Sequence, residues 1–282
     1  MRITVCELPD DPSAFVPAWD ALMTHVRREA SELVLLPEMP FCPWFADSRY
    51  FDAGVWQQAI AAHSDWELHL HDAAPAVVAG TRPMDRAAER YNEAFLWDCQ
   101  LGSCDVHAKS LLPEEHGVWE AAWYSRAAPE FTPARVGQAN VGFLIGTELW
   151  MMNQAQAYGL EEVHLLLTPR STSAEATQTW LAAARVAAIL AGAYALSSNR
   201  VSLSGAFGGH GWIIDPEGNV LGITDKRRPS VTLDVDIGAA GLAQDRYFPR
   251  CAKARPTQVD QLRSRRSRWP NFQIWRSLRS LG

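Results

Sequence analysis

Three short stretches put residues able to do chemistry where α/β proteins hold their ligands. They are "LLPEMPF" around Glu38, "HAKSLLPEEHGVWE" around Lys109 and Glu120, and "VGFLIGTELW" around Gly146. Each places its residue at or just beyond an apolar run that reads as a strand, and ligands of α/β sheets collect at strand ends. A carboxylate and an ammonium converging on a third residue would serve acid–base chemistry with a stabilised oxyanion. The third position is a turn where a catalytic residue ought to sit. It holds glycine, which has no thiol, hydroxyl or amine to attack with.

The elements that must position these residues follow from periodicity. "RITVCEL" reads as a strand, and "PSAFVPAWDALMTHVRREAS" has helical spacing through Phe15, Trp19, Leu22, Val26 and Ala30. "ELVLLPE" is then a fully apolar strand, as expected for burial on both faces. "VWQQAIAAHSDW" is expected as a helix and "PAVVAGTRP" as a strand; "YNEAFLWD" and "CDVHAKSLL" form a strand pair around "CQLGS". "ANVGFLIGTELW" reads as a buried strand, "MMNQAQAYGLE" as a helix and "EVHLLLTPR" as a strand. "SAEATQTWLAAARVAAILAGA" is a long helix and "YALSSNRV" a strand. "GGHGWIIDPEGNVLGITD" is a hairpin turning at Pro216 and Gly218, and "SVTLDVDI" closes the series. Strands alternating with helices define α/β architecture.

The 282 residues carry a formal charge of −6, which argues against a general nucleic-acid binder. No apolar run approaches the roughly 20 residues needed to span a bilayer, and the first residues lack the pattern of a targeting peptide. Five cysteines without paired spacing fit reduced thiols, and a cytoplasmic location is expected. No His/Cys cluster has metal-ligand spacing, so no metal is expected. Residues 246–282 form a basic tail after a domain of residues 1–245. Packing on the domain or on a partner subunit is expected of that tail, in preference to RNA or membrane binding.

Taken in order, these stretches resemble the nitrilase superfamily, the carbon–nitrogen hydrolases. That family carries a strand-end "PE", matched by "LVLLPEMPF"; a "K-x-x-L/I-x-P", nearly matched by "KSLLPEE"; and an "IC-x-[DE]", met here by "IGTE". "LLLTPRST", "SSNR" and "GWIIDPEGNVL" also fit, and the resemblance covers about residues 1–240. It implies an αββα sandwich, at least a homodimer formed through a helix face, and no metal or organic cofactor. It also implies a Glu–Lys–Cys triad that hydrolyses a non-peptide C–N bond in a small amide or N-carbamoyl compound through a thioester. In that reading Glu38 is the general base and Lys109 holds the oxyanion with the backbone N–H of Thr147. Glu120 orients substrate; Glu148, on its own residue type and place, reads as a buried ion-pair partner behind the turn.

Gly146 then occupies the cysteine position, and the chain as written is expected to be inactive. Thr147 should point its hydroxyl away from the pocket, and Cys42 is a remote second candidate for nucleophile. Two explanations stand: a deliberate Cys-to-Gly replacement, which the retention of Glu38, Lys109, Glu120 and Glu148 favours, or a natural pseudoenzyme. Where the family commonly has Pro-Glu after the cysteine, this chain has Met152 and Asn153, which leaves the substrate class open. Phe41, Trp44, Trp119, Trp150 and Met151 are expected to line an apolar pocket, with Arg170 available to a substrate carboxylate. Alternatives are nitrile hydrolysis and a non-catalytic ligand-binding or scaffolding protein.

Overall fold

The computed structural model describes residues 1–241 and 243. The basic tail expected over residues 246–282 lies outside them.

β1 (Arg2–Pro9) leads into α1 (Pro12–Arg28), which starts where the Asp11 carboxylate accepts the Ser13 N–H and Pro12 supplies a pre-set φ. Phe15, Trp19, Leu22, Met23 and Val26 form its buried stripe. β2 (Leu33–Leu35) follows, then α2 (Ala53–Trp66), capped by Asp52. β3 (Val77–Arg86), β4 (Glu89–Asp98) and β5 (Gly102–Ala108) form a meander. After the four-residue α3 (Glu120–Trp123) come β6 (Ala134–Val136) and β7 (Ala139–Phe143). α4 (Met152–Leu160), β8 (Leu165–Arg170), α5 (Thr177–Ala191) and β9 (Tyr194–Val201) complete the crossovers. β10 (Trp212–Ile214) and β11 (Val220–Ile223) make the expected hairpin, and β12 (Ser230–Asp234) returns to β1.

Two sheets result. One runs β5-β4-β3-β2-β1-β12, the other β6-β7-β8-β9-β10-β11, and β1 and β9 join them in parallel from Glu7–Asn199 to Pro9–Val201. The two sheets face each other over a buried layer that includes Ile3, Val5, Leu33, Leu35, Phe143, Leu165 and Ile213. A second layer packs α1 on the first sheet through Phe15, Trp19, Leu22 and Phe95. A third packs α4 and α5 on the other sheet through Tyr158, Trp180, Ala184, Ala187 and Trp212. This is the αββα sandwich that the sequence led us to expect.

Two elements differ from that reading. The strand expected across "ANVGFLIGTELW" stops at Phe143, and Gly146–Trp150 coil into a 3-10 turn. The helix expected from residue 173 begins at Thr177. Among the described residues no helix is long and apolar enough to cross a membrane.

Candidate active site

Glu38 lies three residues beyond β2, and its backbone is held from both sides. Its N–H donates to the Arg170 carbonyl at 3.3 Å, and its carbonyl accepts from Arg200 Nε at 3.0 Å. Arg200 also reaches the Met39 and Cys42 carbonyls and pairs with Asp10, so one buried guanidinium shapes the whole loop after β2. The Glu38 carboxylate is buried and fully engaged. Oε1 takes Lys109 Nζ at 2.8 Å and Asn92 Nδ2 at 2.7 Å, and Oε2 takes the Ser171 hydroxyl at 2.8 Å.

Lys109 follows β5, and its N–H donates to the Asn92 carbonyl of neighbouring β4. Its ammonium stands between two carboxylates, 2.8 Å from Glu38 and 2.6 Å from Glu120 Oε2. Burial pulls the ammonium pKa down, but Glu120 and Glu38 outweigh it and hold the charge well above the usual lysine range. Glu120 opens α3. Burial raises its pKa, Lys109 opposes, Glu38 adds to the rise, and the net direction is upward. Beside it the Tyr124 hydroxyl is pushed well above the usual phenol range, first by burial and then by the charges of Glu120 and Glu38.

Gly146 faces this trio. Its φ is +48°, in the left-handed region that favours glycine. A Cβ there would lie 2.9 Å from Lys109 Nζ and 3.0 Å from Glu38 Oε2. A side chain at this position would therefore meet both the acid and the ammonium. Glu148 ties the turn down from behind. Its Oε2 accepts the Ile145 N–H at 2.9 Å and lies 2.8 Å from His107 Nε2, while Oε1 accepts the Ser110 N–H and hydroxyl at 2.7 and 2.8 Å. Burial pushes Glu148 up, but the bonds from His107, Ser110 and Ile145 overcome it and hold the carboxyl below its ordinary range.

The structure thus brings Glu38, Lys109, Glu120 and Gly146 together. Thr147 turns its hydroxyl onto the Leu111 carbonyl at 2.8 Å. Other positions need correction. Arg170 is fully buried: its nitrogens donate to Ser197, Thr172 and the His210 carbonyl, and its guanidinium lies 3.8 Å over the Trp212 ring. It braces the core through these contacts, and none of them faces Glu38, Lys109 or Gly146. Phe41 also belongs to the core, stacked on Trp66 at 5.4 Å and edge-on to Phe15 and Trp19. Trp150 is 43% exposed and leans on Trp180. Trp44 is partly buried, beside Phe45 and edge-on to Phe207. Trp119 and Met151 are partly buried; the Trp119 N–H donates to the Ala46 carbonyl, and Met151 precedes α4. Cys42 is buried, its thiol pushed up to about 11 by burial, which is the opposite of an activated nucleophile.

Asn92, Ser171 and Tyr124 escaped the sequence reading. Asn92 sits in β4 among other polar residues, Arg90 and Glu93, so nothing in the strand singled it out. Among the described residues, no three His, Cys, Asp or Glu side chains gather as a metal site.

The αββα sandwich thus brings a glutamate, a lysine and a tight left-handed turn together at its strand ends. The family model described as carbon-nitrogen hydrolase matches residues 2–247, and the chain belongs to that family. Among solved structures, a carbon-nitrogen hydrolase from Helicobacter pylori G27 superposes with a TM-score of 0.77 at 15% identity, covering 88% of this chain and 93% of that one. A glutamate-to-glutamine mutant of the amidase from Nesterenkonia sp. AN1 gives 0.72 at 18% identity, covering 90% and 96%. Its description records covalent addition of the acetamide moiety of fluoroacetamide at the active site cysteine. A second mutant of that amidase, in complex with butyramide, gives 0.72 at 18% identity with the same coverage. No curated protein sequence matches this chain.

Proposed function

We propose that this chain is the scaffold of an amidase-like hydrolase that cleaves the C–N bond of a small amide or N-carbamoyl compound, disabled at its nucleophile. One observation carries this reading: Glu38 and Lys109 both reach within about 3 Å of where a Cβ at position 146 would stand. A cysteine there would pass its thiol proton to Glu38, and the thiolate would attack the carbonyl carbon. Lys109 and the Thr147 N–H would hold the oxyanion. The C–N bond would break as Glu38 returned its proton to the leaving nitrogen. Water, activated by Glu38, would then split the thioester into acid and free thiol. Glu120 would position the substrate and keep Lys109 charged. With Gly146 none of these steps can begin, and the chain as written is expected to be silent. Nitrile hydrolysis is the variant reaction that the same machinery could serve. The working unit is expected to be a homodimer.

A second reading is a natural pseudoenzyme that binds ligand without turnover. Its support is the glycine itself, which is at ease at φ +48° and leaves Lys109 locked between two acids.

The deciding experiment measures ammonia release from a panel of amides, N-carbamoyl compounds and nitriles, with the chain as given and with Gly146→Cys. Removal of a triad nucleophile costs several powers of ten, so the contrast should be plain. Turnover by Gly146→Cys alone supports the hydrolase and names its substrate class. Silence from both, with a ligand still bound, makes the pocket a receptor.

A further inference from the structure

A cavity of about 430 Å3 opens where the end of β1, the loop before β10 and the turn after β11 meet. Glu7, Gly208, His210, Asp225, Lys226 and Arg227 line it, and none of Glu38, Lys109, Glu120 or Gly146 does. Its size falls within the range of small-molecule sites.

The floor of the cavity carries a built-in carboxylate. Glu7 is only 5% exposed, and its Oε1 accepts the Thr224 hydroxyl at 2.7 Å and the His210 N–H at 2.8 Å. Among the described residues no hydrogen bond or ion pair reaches its Oε2. Gly209 passes beside it at φ +62°, where a Cβ would stand 2.5 Å from that same oxygen. The backbone is thus kept bare against the carboxylate. Arg170 supplies favourable field but makes no ion pair with Glu7, since its donors go to Ser197, Thr172 and the His210 carbonyl. Glu7 Oε2 is not among the buried unpartnered atoms, so it opens onto the cavity, where a cationic donor can reach it.

The rim carries two cations beside one acid. Asp225 is tied into its own turn, its Oδ1 accepting the Arg227 and Arg228 N–H groups at 2.7 and 2.9 Å. Lys226 and Arg227 are left beside the opening, and among the described residues neither side chain forms an ion pair. A plain anion would face the Glu7 charge, and a plain amine would leave both rim cations unused.

We infer that this cavity binds a small amino acid zwitterion, its ammonium donating to Glu7 Oε2 and its carboxylate held by Lys226 and Arg227. The inference stands apart from the reaction proposed above, because binding is read on the chain as it is.

Isothermal titration of the 282-residue protein with glycine, β-alanine and 4-aminobutanoate tests it. Butylamine and butanoate serve as one-ended controls. At least one zwitterion should saturate at one per chain and bind about ten-fold tighter than either control. Glu7→Gln should weaken it by about ten-fold or more, and the Lys226→Ala/Arg227→Ala pair by about three- to ten-fold while sparing butylamine. Should Glu7→Gln not fold, the rim pair decides alone, since among the described residues neither side chain holds a hydrogen bond or ion pair that its loss would break. Absence of saturable binding by all three zwitterions up to about 10 mM overturns the inference. So does binding that neither variant changes, or butylamine binding as tightly as the best zwitterion.

Discussion

At position 146 backbone and side chain make opposite demands. The turn holds φ at +48°, a conformation that costs an L-residue about 1–2 kcal/mol. Any Cβ there also crowds Lys109 Nζ at 2.9 Å and Glu38 Oε2 at 3.0 Å, so the ammonium must withdraw by a few tenths of an ångström. We expect Gly146→Cys to lower unfolding stability by about 1–3 kcal/mol even as it creates a nucleophile. Gly146→Ala separates the two effects, since it carries the strain without the thiol. Urea melts of the three forms should rank glycine above alanine and cysteine, and an alanine form as stable as glycine would remove strain from the account.

Among the elements, α2 carries a titratable weak point. His63 is buried against the sheet, with Nδ1 2.8 Å from the Ala59 carbonyl and Nε2 unpartnered among the described residues. Burial pushes its pKa down to about 3, so the ring is neutral in the folded protein. An unfolded chain takes up the proton below about 6.5. The contribution of His63 is therefore complete above that value and is lost as pH falls towards 3, at about 1.4 kcal/mol per unit. Between pH 7 and pH 4 the unaltered chain should lose about 3 kcal/mol more than His63→Leu. Equal losses in urea melts at the two pH values would place the acid sensitivity elsewhere.

The same elements show what a sequence can and cannot reveal. β9 was readable to both ends as "YALSSNRV", because burial writes itself into local composition, and the β4–β5 pair was readable from the turn "CQLGS" between its strands. The three-residue β6 left too short a pattern to notice. Glu38, Lys109 and Gly146 were visible because each falls in a motif, and Glu120 through the resemblance that those motifs carry. Asn92 and Ser171 were not, since their bonds to Glu38 span 54 and 133 residues and nothing local announces them. Phe41 and Arg170 were misplaced for a related reason. Strand-end position says that a side chain is near the site, and only packing against Trp66 or Trp212 says that it faces away.

For the whole molecule, we propose that copies meet through the outer helical layers. α5 buries its alanine-rich side on β8–β10 and leaves Val186 46% exposed on the other. A homodimer through a helix face is expected, so light scattering should give twice the 31.3 kDa of one chain. Val186→Arg should shift that mass towards the monomer if α5 lies in the contact. A monomeric mass at all concentrations would dismiss the expectation.

β1 belongs to both sheets at once, pairing with β2 and β12 along its first half and with β9 along its second. On the ribosome this strand is made before the other described elements and must wait for its partners among them. The bond from the Cys6 N–H to Ser198 spans 192 residues, and that from the terminal amine to the Val235 carbonyl spans 234. Neither sheet can be completed until nearly the whole described chain has been made, so synthesis offers no stable halfway product. A nascent chain of this kind spends its lifetime with unpaired strand edges, and its yield in a cell will depend on what shields them.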